Sequence, residues 1–206
     1  IQERVDTEAV DPEVRDNVVQ AIAVLGELGA DIQEVSIPLI VHSAAISNTI
    51  ILTDAAGVHR QGIDEHLGEY DHNIQIRLLV GSIIPAQAHQ KAVKLRQVLR
   101  QQILDALEKV DVLVMPTSSI PASPIPPKAG IGSKQEVLDG LAGRRSFTAP
   151  FNVANTPALS INCGFTSQQL PVGFQIAGKP FDEGTLFRVA HAYEQATDWH
   201  TRRPPI

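Results

Sequence analysis

The sequence predicts an α/β fold in which helices cover a central β-sheet, and three observations carry that prediction. Asp11 and Pro12 open an amphipathic stretch that keeps a helical period as far as Leu28. The run "DVLVMP", residues 111–116, is short, continuously apolar and stopped by proline, the pattern of a strand buried on both faces. Two further runs with β-branched residues, "ALSINC" and "VGFQIAG", flank a turn and precede a last helical stretch.

Taken in order, Asp11 reads as an N-cap and Pro12 as the first helical position. Val14, Val18, Ile22, Leu25 and Leu28 then recur at helical spacing until Gly29 stops them. The segment "ADIQEVSIP" alternates Ile32, Val35 and Ile37 with polar residues and ends in proline, which predicts a short strand. Between Leu39 and Gly81 two or three helices are expected, interrupted around Gly57, Gly62 and Gly68. From Pro85 to Val110 a long helix is expected, with Ala88, Ala92, Leu95, Leu99, Ile103, Ala106 and Val110 on one stripe. Residues 116–146 hold five of the fourteen prolines and read as a long loop inside the domain, because strand-like sequence resumes after it. "ALSINC" and "VGFQIAG" are predicted to pair as a hairpin about a turn at Ser167 to Pro171. A final helix is expected from Asp182-Glu183, whose charges suit a helix N-terminus, to about Ala196.

Composition narrows the function classes. A chain of 206 residues, 43% hydrophobic and 19% charged, has the makeup of a soluble globular protein with a sizeable core. Its net charge of -6 comes without a basic stripe, so neither direct nucleic-acid binding nor attraction to an anionic membrane is expected. No apolar run approaches the roughly 18 residues that a membrane span needs, and the first residues lack a secretory pattern. The lone Cys163 excludes an internal disulfide, and a cytoplasmic location is expected. The chain opens on Ile1 and its only methionine is Met115, so a fragment or processed piece is expected.

The usual reactive patterns are missing. His59, His66 and His72 lie among acidic residues, yet neither HxxxH nor HExxH spacing occurs, and a solvated helical surface is the better reading than a metal site. Ser118 and Ser119 follow a strand end, but no GxSxG elbow or SxxK pair accompanies them, so turn formation is the default. "GIGSK" at 130–134 lacks the full spacing of a phosphate-cradling loop. Cys163 reads as a small buried residue rather than a reactive thiolate. Asn152, Asn155 and Thr156 place amide and hydroxyl groups before a buried strand, where they either bind a carbonyl or close a turn; by chemistry alone the turn is favoured.

Together these stretches resemble the C-terminal part of the amidase signature family. The resemblance rests on "DVLVMPTSSIPASP", "FTAPFNVANTPALSINCGF", "LPVGFQIAGKPFDEGTLFRVAHAYEQATDWH" and the closing "RRPP", in that order. It is clear from about Val110 onward, and "DPEVRDNVVQAIAVLGELGADIQEVSIP" is compatible with it. It implies that residues 1–206 are the C-terminal portion of a single domain with a mixed β-sheet flanked by helices. The implied chemistry is hydrolysis or transfer of a carboxamide nitrogen by a serine, activated through a second serine and a lysine. That lysine must be neutral to accept a proton, which burial allows. The lysine and the Gly-Ser-rich segment belong to the family's first half and have no match here, so no catalytic residue is assigned and the chain alone is expected to be inactive.

The family's PT-containing strand end and FN-containing loop imply Thr117, Asn152 and Asn155 as substrate-binding residues. No cofactor or metal is implied. The partners implied are a small carboxamide substrate and the missing N-terminal half or a companion chain, with a homodimer left open. The A subunit of a glutamyl-tRNA amidotransferase is expected to carry an acidic residue shortly before the TxPxN stretch; Arg144-Arg145-Ser146 stands there, which favours a plain amidase. The remaining alternative is a non-catalytic module that binds a ligand or partner.

Overall fold

The computed structural model describes residues 1–5, 10–125 and 147–203. Helix α1 (Gln2–Val5) is a single turn. Helix α2 (Pro12–Glu27) starts where its sequence dictates: the Asp11 carboxylate accepts from the amides of Glu13 at 2.9 Å and Val14 at 3.3 Å, satisfying donors that a helix start leaves open. Val14, Val18, Ala21 and Leu25 are buried, and Gly29 ends the helix with φ +97°. Leu28, counted in the predicted stripe, is exposed.

Residues 30–37 form no strand, contrary to expectation. They leave Gly29 in open backbone and meet single partners in place of a ladder: Val35 O accepts from the Gln2 amide at 3.0 Å, and the Glu3 carboxylate accepts from the Ile37 amide at 3.1 Å and from the Ser36 hydroxyl. Of the alternating apolar residues Ile37 is buried and Ile32 half exposed. Pro38 then starts a 3-10 turn, Pro38–His42.

Three helices follow, α3 (Ser43–Val58), α4 (Arg60–His66) and α5 (His72–Ile83). The breaks fall at His59 and at residues 67–71, and Gly62 lies inside α4. Helices α3 and α5 cross so closely that a Cβ on Gly81 would lie 2.0 Å from Leu52 O. The continuous helical run Pro38–Val58 has a mean hydropathy of 1.3 and is long and apolar enough to cross a membrane by length and composition. Ser47, Asn48, Thr49, Thr53 and Asp54 interrupt its apolar residues, so no continuous apolar run marks it in the sequence. Here α3 packs on α5, on α6 (Ala86–Leu107) and on the short helix α7 (Ala149–Ala154). Helix α6 buries Ala92, Leu99, Ile103, Ala106 and Leu107, while Ala88 in its exposed first turn drops out of the stripe.

Strands β1 (Val112–Pro116), β2 (Ala158–Phe165) and β3 (Pro171–Gly178) form the described sheet in the order β1-β3-β2. Every pair is antiparallel, with Val114 opposite Ile176 and Ile161 opposite Phe174, and β2 bulges between Asn162 and Gly164. The predicted hairpin and the α/β class with flanking helices are both present. Helix α8 (Glu183–Gln195) and helix α2 pack on the sheet. On the central strand, Phe174 meets Tyr193 of α8 edge to face at 5.0 Å.

Gln175 points to the opposite face, where it is buried. Its side-chain amide donates to Pro116 O at 3.0 Å and to Phe147 O at 2.6 Å. Those carbonyls end β1 and begin the segment that leads into α7. Phe147 is held from a second side by Arg4, a buried side chain whose guanidinium lies 4.8 Å from the ring centroid and donates to Ile40 O. Burial lowers the Arg4 pKa from its ordinary value.

Replacing Gln175 separates its hydrogen bonds from its packing. Gln175→Met leaves two carbonyls without a donor and is expected to cost roughly 1–3 kcal/mol. Gln175→Glu keeps the shape but turns an acceptor toward those carbonyls, so its carboxyl is held above the ordinary range. Its extra cost is absent below about pH 4, where the unfolded chain is protonated too, and grows as the pH rises. Thermal unfolding from pH 4 to 8 checks this: parallel Tm curves for the two variants would show that the bonds contribute nothing.

Candidate functional site

The hydroxyls of Thr117 and Ser160 meet above the central strand. Thr117 follows β1, and its amide donates to Gly173 O at 3.0 Å, which places its side chain at the end of the sheet. Ser160 comes from β2, on the far side of β3. Their oxygens lie 2.6 Å apart, and Gly173 permits this: a Cβ on it would lie 3.1 Å from Ser160 Oγ and 3.2 Å from Thr117 Oγ1. Asn162, two residues beyond Ser160, shares its face, and its Oδ1 accepts from the Gly164 amide at 2.8 Å.

These groups border an open cavity of about 450 Å³. Ile120, Pro121, Val14, Ile161 and Val172 supply apolar wall, and Ser118 closes a turn by donating to Ile120 O at 2.8 Å. The adjoining Ser119 is buried, and its carbonyl accepts from the Asp11 amide at 2.8 Å, tying the loop after β1 to the cap of α2. No titratable side chain is among the described lining residues. Such a wall donates and accepts hydrogen bonds but lacks the base that would turn a hydroxyl into a nucleophile.

The two predicted asparagines sit on α7 and its end. Asn152 is exposed and borders a smaller hollow of about 150 Å³ with Ser47, Ile50, Ile51 and Arg96. Asn155 caps α7 in the left-handed region, φ 51° and ψ 51°, a conformation asparagine tolerates better than most residues. Its Oδ1 accepts from Arg96 at 3.1 Å. The structure thus brings Thr117 to Ser160 and Asn155 to Arg96, while Thr117 and Asn152 face different hollows. Sequence reading missed Ser160, Asn162 and Gly173. Their signal was the alternation of Ser160 and Asn162 through an apolar run, which marks one polar face of a strand. Thr156, a third polar group before β2, has a buried hydroxyl with no partner among the described residues.

The other candidates take ordinary roles. His59 Nδ1 lies 3.2 Å from the Tyr70 hydroxyl, and His66 lies 3.1 Å from Glu69 on an exposed surface. Among the described residues no group of three or more His, Cys, Asp or Glu is gathered to hold a metal ion. Cys163 is buried, its thiol donates to Val172 O at 3.4 Å, and burial pushes its pKa up to about 12. The basic pair Arg144-Arg145, the rest of residues 126–146, for which a loop is expected, and the last three residues lie outside the described residues.

Comparison with known proteins defines the class. The Amidase family model matches residues 2–187, so the chain belongs to the amidase family, the one its motifs resemble. The A subunit of the glutamyl-tRNA(Gln) amidotransferase of Gloeobacter violaceus is 34% identical over 97% of this chain and 44% of its own length. An amidase of Pseudomonas putida is 32% identical over 96% of this chain and 42% of its own. The solved A subunit of the amidotransferase from Thermotoga maritima superposes with a TM-score of 0.72 at 28% identity, covering 93% of this chain and 40% of that one. A 6-aminohexanoate cyclic dimer hydrolase superposes with a TM-score of 0.80 at 24% identity over 95% of this chain and 44% of that one, a likeness of fold. The chain therefore spans less than half the length of these relatives.

Cys163 offers a direct check on the hairpin's packing. At pH 8 the native thiol is expected to react with an aromatic disulfide reagent at least about 100-fold more slowly than the denatured chain, since only the thiolate attacks. Equal rates would mean that the sheet opens freely around it.

Proposed function

We propose that this chain is the C-terminal portion of a carboxamide hydrolase, supplying one wall of its substrate pocket. The observation that carries the reading is the cavity at Thr117 and Ser160, whose described lining is hydrogen-bonding but non-ionising, in a chain of the amidase family. A pocket wall without a base suits a fold whose reactive groups lie on other polypeptide, here the family's serine, second serine and lysine. In the proposed reaction that serine attacks the carboxamide carbon and ammonia leaves with a proton. Water then releases the acid, so that amide and water give acid and ammonia. Thr117 binds the substrate there, and Ser160 orients the Thr117 hydroxyl through their 2.6 Å contact, whereas Asn152 and Asn155 are not among the described residues of this wall.

A second reading, an amidotransferase component that releases ammonia from glutamine for transfer to a charged transfer RNA, is favoured by relatives of that name at 32 to 36% identity. A binding module without catalysis is the third. The exposure of Ala158 and Ser160 on β2, at the edge of the described sheet, speaks for a companion surface.

Ammonia release from acetamide, benzamide and glutamine tests these readings together. The chain alone is expected to release none, and the chain joined to a polypeptide bearing the serine pair and lysine is expected to hydrolyse at least one. Glutamine turnover that rises with an acceptor transfer RNA would select the amidotransferase, whereas a joined assembly inert toward all three amides would leave the binding module. In an active assembly, Thr117→Val is expected to raise KM about tenfold or more, as loss of one substrate hydrogen bond does.

A further inference from the structure

The edge of β1 that faces away from β3 borders a groove. The Thr117 amide bonds Gly173 O, and along an antiparallel pair bonded and non-bonded positions alternate. Leu113 and Met115 therefore turn their backbone groups toward β3, while Val112 and Val114 turn theirs to the far edge. That edge forms one wall of a groove of about 380 Å³, and residues 29–33 with Val35 form another. Ile22 and Leu25 of α2 add apolar surface to it.

At one end of this groove the backbone of residues 1 and 2 joins the two walls. The Ile1 nitrogen donates to Val114 O at 3.0 Å, and the next amide, that of Gln2, donates to Val35 O at 3.0 Å. Successive N–H groups of an extended chain point to opposite sides, so this is the bonding of a strand with a neighbour on each side. From there the groove continues past Val112 and Val110 on one wall and past Gln33 and Asp31 on the other. In both walls that direction is toward lower residue numbers, so a strand that reaches Ile1 along the groove runs parallel to both. Among the described residues the backbone groups of Val112 and Gln33 have no partner.

We propose that the groove receives one β-strand, joined to Ile1 and supplied by the polypeptide that makes up the rest of the relatives' length. It pairs in parallel with β1 on one side and with residues 31–35 on the other. The chain spans 44% and 42% of two such relatives, which leaves ample polypeptide to supply it. The strand is about five residues long, matching the stretch from Val110 to Val114. Lying between two parallel neighbours, it is a short apolar run rich in β-branched residues. The strand-like alternation of Ile32, Val35 and Ile37 acquires its ladder in this way, and the described sheet of three strands gains two. The proposal rests on the reading of this chain as the C-terminal portion of a longer fold, and is independent of the carboxamide chemistry.

Hydrogen exchange tests it, comparing the chain alone with the chain joined at Ile1 to the polypeptide bearing the serine pair and lysine. The amides of Gln33, Val35, Val112 and Val114 are expected to exchange at least about 100-fold more slowly in the joined assembly. Val112→Pro removes a donor on the groove side and none on the β3 side. A free edge tolerates such a proline, so the substitution is expected to lower the Tm of the assembly by about 2 °C or more beyond its effect on the chain alone. Exchange no slower in the assembly, or an equal loss of Tm in both, would overturn the proposal. Protection already present in a chain that light scattering finds dimeric would overturn it in favour of a second copy. Slow exchange in an assembly inert toward every amide would uphold the strand and overturn the hydrolase reading alone.

Discussion

Much of this molecule depends on one side-chain amide. Gln175, buried on the central strand, donates one N–H to each end of the long excursion between β1 and α7, so that both carbonyls are satisfied by a single group. Hydrogen bonds of this kind add little when water is the alternative, but inside a core the cost of leaving either carbonyl unpaired is large. The two described ends, Pro116 and Phe147, are therefore held in register with the sheet by one side chain. Arg4 over the Phe147 ring reinforces the same point from the opposite end of the chain.

The candidate site is an outcome of that fixed register. Thr117 and Ser160 belong to strands that never touch, and they meet only because the residue between them has no side chain. Across the sheet, the even-numbered residues of β3 from Val172 to Ile176 are buried in the core. One face of the hairpin is thus committed to packing and the other to polar chemistry, a division of labour that antiparallel strands permit because their side chains alternate.

What the sequence disclosed follows from the range of the forces involved. The cap at Asp11, the stripe of α6, the apolar run of β1 and the hairpin turn are decided within a few residues, and all are present. The segment 30–37 carried strand-like alternation, but alternation is necessary rather than sufficient, and its backbone found single donors in place of a ladder. The limits of α3 to α5 were obscure because apolar residues surround α3 on most sides, and Gly62, read as a break, is carried inside α4. Thr117 was visible as a strand end. Ser160 beside it was not, because cross-strand neighbours follow from pairing register, and neither was Arg96, which reaches Asn155 across 59 positions.

The strand order β1-β3-β2 has a consequence for the way the protein is made. The middle strand is the last of the three described strands to be made, so β1, finished more than fifty residues earlier, has no described partner until Pro171 to Gly178 appears. At roughly 5–20 residues per second the helical first half is exposed for several seconds without the sheet it must cover. Sheet formation therefore waits for a strand that joins β1, made long before it, to β2, made just before it, and a chain halted before residue 171 lacks the strand that both partners need.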